Sequence, residues 1–192
     1  MARAKKFDPE KALAAAMNVF WRLGYENTSL DVLTEEMGVA RQSLYDTFGD
    51  KRSLYLKALA HYRNETNGSM RRMFESVPSV KDGFARLLFG LSGESRAQHA
   101  RGCLLLSANM ERAAEDPVVA KFLRNNQAEV EGIFAAALRS AQSKGKLPSK
   151  QDPEALARFF VATIQGMRAL ARLKSDRVAL EQVAKVALAV LD

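Results

Sequence analysis

Leu30-Asp31-Val32-Leu33-Thr34-Glu35-Glu36-Met37-Gly38-Val39-Ala40-Arg41-Gln42-Ser43-Leu44-Tyr45-Asp46-Thr47-Phe48 carries two short apolar stripes of helical period on either side of one glycine. Leu30, Leu33 and Met37 stand at i, i+3 and i+7, which is one face of a helix. Thr28 or Ser29 is a natural cap for its start. Gly38 ends it, because glycine accepts the positive φ that a sharp turn demands. A second helix begins only two residues later and should run over 41–48. Leu44, Tyr45 and Phe48 form its apolar side, and Arg41, Gln42, Ser43, Asp46 and Thr47 face away. Leu33 and Val39 are placed to pack the two helices together. Two short helices joined by Gly38-Val39-Ala40 make a helix-turn-helix signature.

Outward from this stretch the apolar spacing stays helical, with no run of strict alternation. Asp8-Pro9 opens a helix over 9–23, with proline at the first position, where a missing N–H costs nothing. Gly49-Asp50 breaks the pattern, and Asp50 caps a long helix to about Ser76. Further helices are expected over about 80–91, 103–114, 117–143, 153–174 and 177–191. The polar stretch 92–102 reads as a loop. The fold class is therefore all-α, with residues 1–50 as a three-helix head and 51–192 as a helical body. The helix 51–76 links the two.

Composition narrows the function. The net charge of +7 permits a polyanionic partner. Residues 1–76 carry 12 Lys/Arg against 10 Asp/Glu, so bulk charge does not single out the head. No apolar run reaches the roughly 20 residues of a membrane span. The basic start is followed by Asp8, Pro9 and Glu10 instead of an apolar stretch, so a cytoplasmic protein is expected. One cysteine, Cys103, excludes an intramolecular disulfide. His61 and His99 lack the spacing of paired ligands on one helix face, so neither a metal nor a cofactor is expected. No acid, base and nucleophile converge in sequence as an all-helical enzyme would need.

The run from Gly24-Tyr25 through Thr28-Ser29, the Gly38-Val39 turn, Leu44-Tyr45-x-x-Phe48, Lys51 and Leu54 resembles the DNA-binding signature of the tetracycline-repressor (TetR) family. Two positions depart from it. Ala40 stands where a capping Ser or Thr is frequent, and Thr47 where an aromatic or His is frequent. The resemblance implies operator DNA as a partner, a small-molecule effector and a homodimer. On that reading Arg41, Gln42 and Ser43 face base edges, with Arg suited to guanine and Gln to adenine. Thr28, Ser29, Tyr45, Thr47 and Lys51 are expected at phosphates. Arg3, Lys5 and Lys6 form a short basic arm for phosphates or the minor groove.

In the body, Phe84, Leu88, Cys103, Leu106, Met110, Phe134 and Phe159 are expected to line an apolar effector pocket. A plain packed core fits the same residues. Cys103 reads as a small buried hydrophobe, with a thiol sensor as the alternative. The last two helices carry more apolar surface than a single stripe needs. Phe160, Ile164, Met167, Val183 and Leu191 are therefore expected in a two-fold dimer interface, with Ala162 and Gly166 allowing close approach.

Overall fold

A computed structural model describes residues 7–192; the basic arm at Arg3, Lys5 and Lys6 lies outside the described residues. The described chain is α-helical, with one short 3₁₀ turn at Ala189–Leu191. The helices are α1 (Pro9–Leu23), α2 (Leu30–Met37), α3 (Arg41–Phe48), α4 (Lys51–Ser76), α5 (Val80–Ser92), α6 (Arg96–Arg101), α7 (Leu104–Arg112), α8 (Pro117–Ser143), α9 (Pro153–Leu173) and α10 (Arg177–Leu188). Caps explain most boundaries. Asp8 accepts from the N–H groups of Glu10 and Lys11, Ser29 from Val32, and Asp152 from Glu154 and Ala155.

One expectation needs correction. Residues 92–102 are not a loop throughout, because α6 forms within them. A capping box starts it: the Ser95 hydroxyl accepts from the Gln98 N–H, and the Gln98 side chain accepts from the Ser95 N–H. His99 then anchors the turn. Its ring nitrogens lie 2.6 Å from Ser175 Oγ and 2.8 Å from the Leu91 carbonyl oxygen. All six residues of α6 are polar or small, so periodicity could not reveal it.

The chain forms two compact units. The first comprises residues 7–66 and Cys103–Lys121, the second Asn67–Gly102 and Phe122–Asp192. Helices α4 and α8 thus contribute residues to both. In the first unit Phe20, Leu33, Leu44, Leu54, Tyr55 and Leu59 are buried together with Leu104 and Ala108 of α7. Each large apolar side chain removed from water stabilises by about 1.5–3 kcal/mol. Phe20 meets Tyr55 edge-on at 4.9 Å between ring centroids.

The second unit is organised on rings. Phe84 stacks on Phe160 at 3.7 Å and meets Phe134 edge-on at 5.1 Å. Phe74 reaches the same group from α4, and Gly83 makes room for it: a Cβ there would lie 2.4 Å from the Phe74 ring. Leu88, Leu138, Met167, Leu180 and Leu191 complete this core.

Candidate nucleic-acid interface

Helix α2 ends where Gly38 adopts φ 63° and ψ 35°, the left-handed conformation expected of it. The Gly38 N–H donates to the Glu35 carbonyl and the Val39 N–H to the Thr34 carbonyl. Val39 is buried, and two residues later α3 begins. Leu44 and Phe48 turn inward, leaving Arg41, Gln42 and Asp46 exposed and Ser43 and Thr47 half-buried. Tyr45 is largely exposed rather than part of the core. Ala40 is the N-cap and makes no side-chain hydrogen bond. The far end of α3 is better held, since Lys57 Nζ donates to the carbonyls of Thr47 and Phe48 at 3.4 and 3.1 Å.

Two exposed side chains of α3, Arg41 and Gln42, have carboxylates beside them. Gln42 Nε2 donates to Asp46 Oδ1 at 2.8 Å. One amide hydrogen and the amide oxygen remain to face outward. Arg41 lies 3.8 Å from the Asp31 carboxylate of α2. At the start of α4, Asp50 accepts from the Ser53 N–H at 2.7 Å; hydrogen bonding with the Ser53 side chain foremost, and then with this N–H, holds its carboxyl below the ordinary aspartate range.

Thr28 is not where a phosphate contact requires it. Its side chain is 1% exposed, and its hydroxyl donates to the Gly24 carbonyl at 2.6 Å. That bond closes the α1–α2 turn, so Thr28 is a structural residue of the turn. Ser29 is exposed and caps α2. Lys51 is half-buried, with Nζ 4.4 Å from the centre of the Tyr25 ring, a cation–π contact.

A second polar cluster borders these elements. Glu111 of α7 accepts from the backbone N–H groups of Tyr25 and Glu26. Arg112 donates to Glu26 at 2.5 Å and to Glu115 at 3.0 Å, and its guanidinium lies 4.6 Å from the Tyr25 ring centre. Burial outweighs that cation and pushes the Tyr25 phenol above its ordinary pKa. Arg52 forms a bidentate pair with Asp116, both bonds at 2.6 Å. Asp116 also accepts from the Val118 and Val119 N–H groups at the start of α8. The Arg52 guanidinium foremost, and these two amides, hold the Asp116 carboxyl far below the usual range. The helix start at Asp116-Pro117 was legible in sequence; its partner Arg52, 64 residues away, was not.

Residues 12–58 match the family model described as bacterial regulatory proteins, tetR family, and residues 89–187 match the tetracyclin repressor-like C-terminal domain. The chain belongs to the TetR family. It is an all-helical transcriptional regulator with an N-terminal helix-turn-helix domain. Among TetR-family relatives, the uncharacterized HTH-type transcriptional regulator YezE of Bacillus subtilis (strain 168) is 32% identical, with 100% of both chains covered. The HTH-type transcriptional repressor ComR of Escherichia coli (strain K12) is 29% identical over 95% of this chain and 88% of ComR. A solved structure of the TetR family regulator CifR, cysteine-substituted and complexed with 26bp double-strand operator DNA, superposes with a TM-score of 0.87. The identity is 33%, over 100% of both chains.

The TetR body distributes the remaining expected residues unevenly. Phe84, Leu88 and Phe134 are buried together in the second unit, whereas Phe159 is partly exposed. Cys103, Leu106 and Met110 belong to the first unit, so the seven do not line one shared interior within either unit. Met110 is 79% exposed, because it lies on the outer face of α7 while Leu104, Leu105 and Ala108 take the inner one. Cys103 is half-buried at the N-cap of α7, with the Tyr62 hydroxyl 3.7 Å from its sulfur.

The expected dimer residues also divide. Phe160, Met167 and Leu191 are buried in the second unit's own core and are not free for a partner, while Ile164 is only partly buried against that core. Val183 is exposed. Helix α9 is apolar on two sides, and the outward one carries Phe159, Ala162, Gly166, Leu170 and Leu173. On and beside α10, Val178, Val183 and Val186 are exposed as well. Among the described residues no helix is long and apolar enough to cross a membrane, and no three potential metal ligands cluster.

Proposed function

We propose that this regulator is a repressor that binds a near-palindromic operator as a two-fold dimer in the cytoplasm and releases it when a small molecule binds. The observation that carries the DNA reading is α3 itself. Leu44 and Phe48 anchor it, while Arg41, Gln42 and Tyr45 remain outward on one surface. Arg41 and Gln42 read base edges there, and Ser43 sits close enough to the helix start to read or to permit approach. Ser29, Tyr45, Thr47 and Lys51 serve the phosphates. The printed names of ComR and CifR, a repressor and an operator-bound regulator, support the same reading.

One such motif per chain reads only a few base pairs, so a second copy must supply the other half-site. The outward stripe of α9 and α10 gives that copy an apolar face whose small residues, Ala162 and Gly166, let helices approach closely. Functionally the division falls between residues 1–50, joined at the DNA by Lys51, and the remainder of 51–192, which bind effector and partner, with α4 as the connection. The effector region centres on Phe84, Leu88 and Phe134 in the second unit, where an apolar ligand would part the ring cluster. A ligand that favours one arrangement of the body shifts the population away from the DNA-binding one. Selection of bound sequences from random DNA, repeated with a metabolite panel, tests the whole reading. A palindromic site lost in the presence of one compound is the expected result; selection of no sequence overturns it.

A further inference from the structure

We infer that Glu111 is a positioning residue for DNA binding: it fixes the angle at which the helix-turn-helix is presented, and thereby the half-site spacing that the dimer accepts. The inference rests on the operator-binding reading above. Glu111 occupies the last turn of α7, 85 residues from the turn it grips. Its Oε2 accepts from the Tyr25 N–H at 3.1 Å and its Oε1 from the Glu26 N–H at 3.0 Å. Two oxygens of one planar group on two successive amides resist rotation as well as separation.

Gly24 makes the seat. Its φ of 78° turns the following N–H groups outward, and a Cβ at this position would lie 2.9 Å from Glu111 Oε1. The grip passes on to the DNA-facing elements. The Thr28 hydroxyl ties the same turn back to the Gly24 carbonyl, and the next residue, Ser29, caps α2. Arg112, beside Glu111, holds Glu26 of that turn. Five residues on from Glu111, Asp116 takes hold of Arg52 in the first turn of α4. The segment 111–116 therefore holds the head at the entrance to α2 and again at the exit from α3. The Glu26 bond is exposed and the Tyr25 bond only part-buried, so removal of Glu111 frees the turn at modest cost in stability.

The test uses the full chain. Glu111→Ala and Glu111→Gln are compared with the unaltered protein by selecting bound sequences from random DNA. Base preference within the half-site and the distribution of half-site spacings are scored separately. For Glu111→Ala, the half-site preference should persist while the spacing distribution broadens and affinity for the preferred operator falls about tenfold. Glu111→Gln retains one acceptor and should lie between. Simple destabilisation would weaken every spacing alike. A spacing distribution as narrow as the unaltered protein's, in either variant that folds by circular dichroism, overturns the inference. If the unaltered chain selects no half-site, the operator reading fails first, and this result is distinct from a half-site of unchanged spacing.

Discussion

The two compact units are held together by different physics. The second is a cluster of rings and branched aliphatics, Phe84 against Phe160 and Phe134, with Met167 and Leu188 buried around them. The first has an apolar core too, to which α7 adds Leu104 and Ala108, but the segment 111–116 also joins the head through ions and amides at Tyr25, Glu26, Arg52, Glu111, Arg112 and Asp116. Apolar burial is non-directional and involves no titrating group. Bidentate pairs are directional and depend on protonation. The directional bonds stand beside the helix-turn-helix, at the α1–α2 turn and the first turn of α4.

The largest expected effect separates core from surface on a single helix. Met167 is 1% exposed, while Leu170, three residues on, is 54% exposed. Met167→Glu buries an unpaired charge in the ring cluster and should cost about 4–5 kcal/mol, a large share of the roughly 5–15 kcal/mol that holds a typical domain folded, with a thermal midpoint lowered to match. Leu170→Glu should leave helicity and thermal midpoint nearly unchanged while sedimentation shows a monomer with weak operator binding. A Leu170→Glu dimer would remove α9 from the interface.

Next comes the ionic clamp. Asp116→Asn keeps an oxygen for the cap of α8 but loses the charge that pairs with Arg52, and should cost about 1.5–2 kcal/mol at neutral pH. Because the folded-state pKa of Asp116 is depressed, its contribution is fully present above the unfolded value of about 3.9 and is lost as pH falls from there through the folded pKa. The stability gap between the two proteins, measured by urea denaturation, should therefore be constant from pH 7 to about 5 and close on further acidification. A gap that does not narrow at all between pH 5 and pH 2 would mean that packing, not charge, explains the loss.

What could be read from the sequence follows the same division. Local signals were sufficient for the turn at Gly38, for the inward Leu44 and Phe48, and for the proline-marked helix starts at Asp8, Asp116 and Asp152. The capping box at Ser95 and Gln98 was equally local, but without apolar spacing behind it the stretch read as a loop. Two kinds of fact were out of reach. Glu111 meets the α1–α2 turn across 85 residues, and no pattern near either end announces that contact. On α9 both sides are apolar, so periodicity identifies two faces without saying which one the core takes. Phe159 and Phe160 are neighbours about 100° apart on the helix, and only packing assigns the second inward.

A smaller effect belongs to the exposed face of α3. Arg41→Ala and Gln42→Ala should each remove about 1–3 kcal/mol of discrimination at one or two base pairs per half-site, without altering stability. Since Gln42 donates to Asp46, Asp46→Ala should relax preference at the same base pair that Gln42→Ala does. A binding-site selection reads both. Loss at a different base pair would mean that Asp46 contacts DNA itself.

The smallest expected effect concerns the start of α3, which, among the described helix starts of the head, has no side-chain cap. Ala40 sits at φ −68° and ψ 148°, extended geometry suited to an N-cap, yet its methyl group accepts nothing. At the other end Gly49 and Lys57 hold the final carbonyls. Helix α3 is therefore fastened at its C-terminus and loose where Arg41 and Gln42 project. Ala40→Ser supplies a hydroxyl for a first-turn N–H and should add up to ~1 kcal/mol to local helix stability. If that end frays in the free protein, operator affinity should rise severalfold at unchanged salt dependence, since no phosphate contact is gained. Hydrogen exchange at Ser43 and Leu44 should slow in parallel. Slower exchange with unchanged affinity would show that the helix start is already ordered before DNA arrives, leaving the grip of Glu111 and Asp116 to determine how α3 is presented.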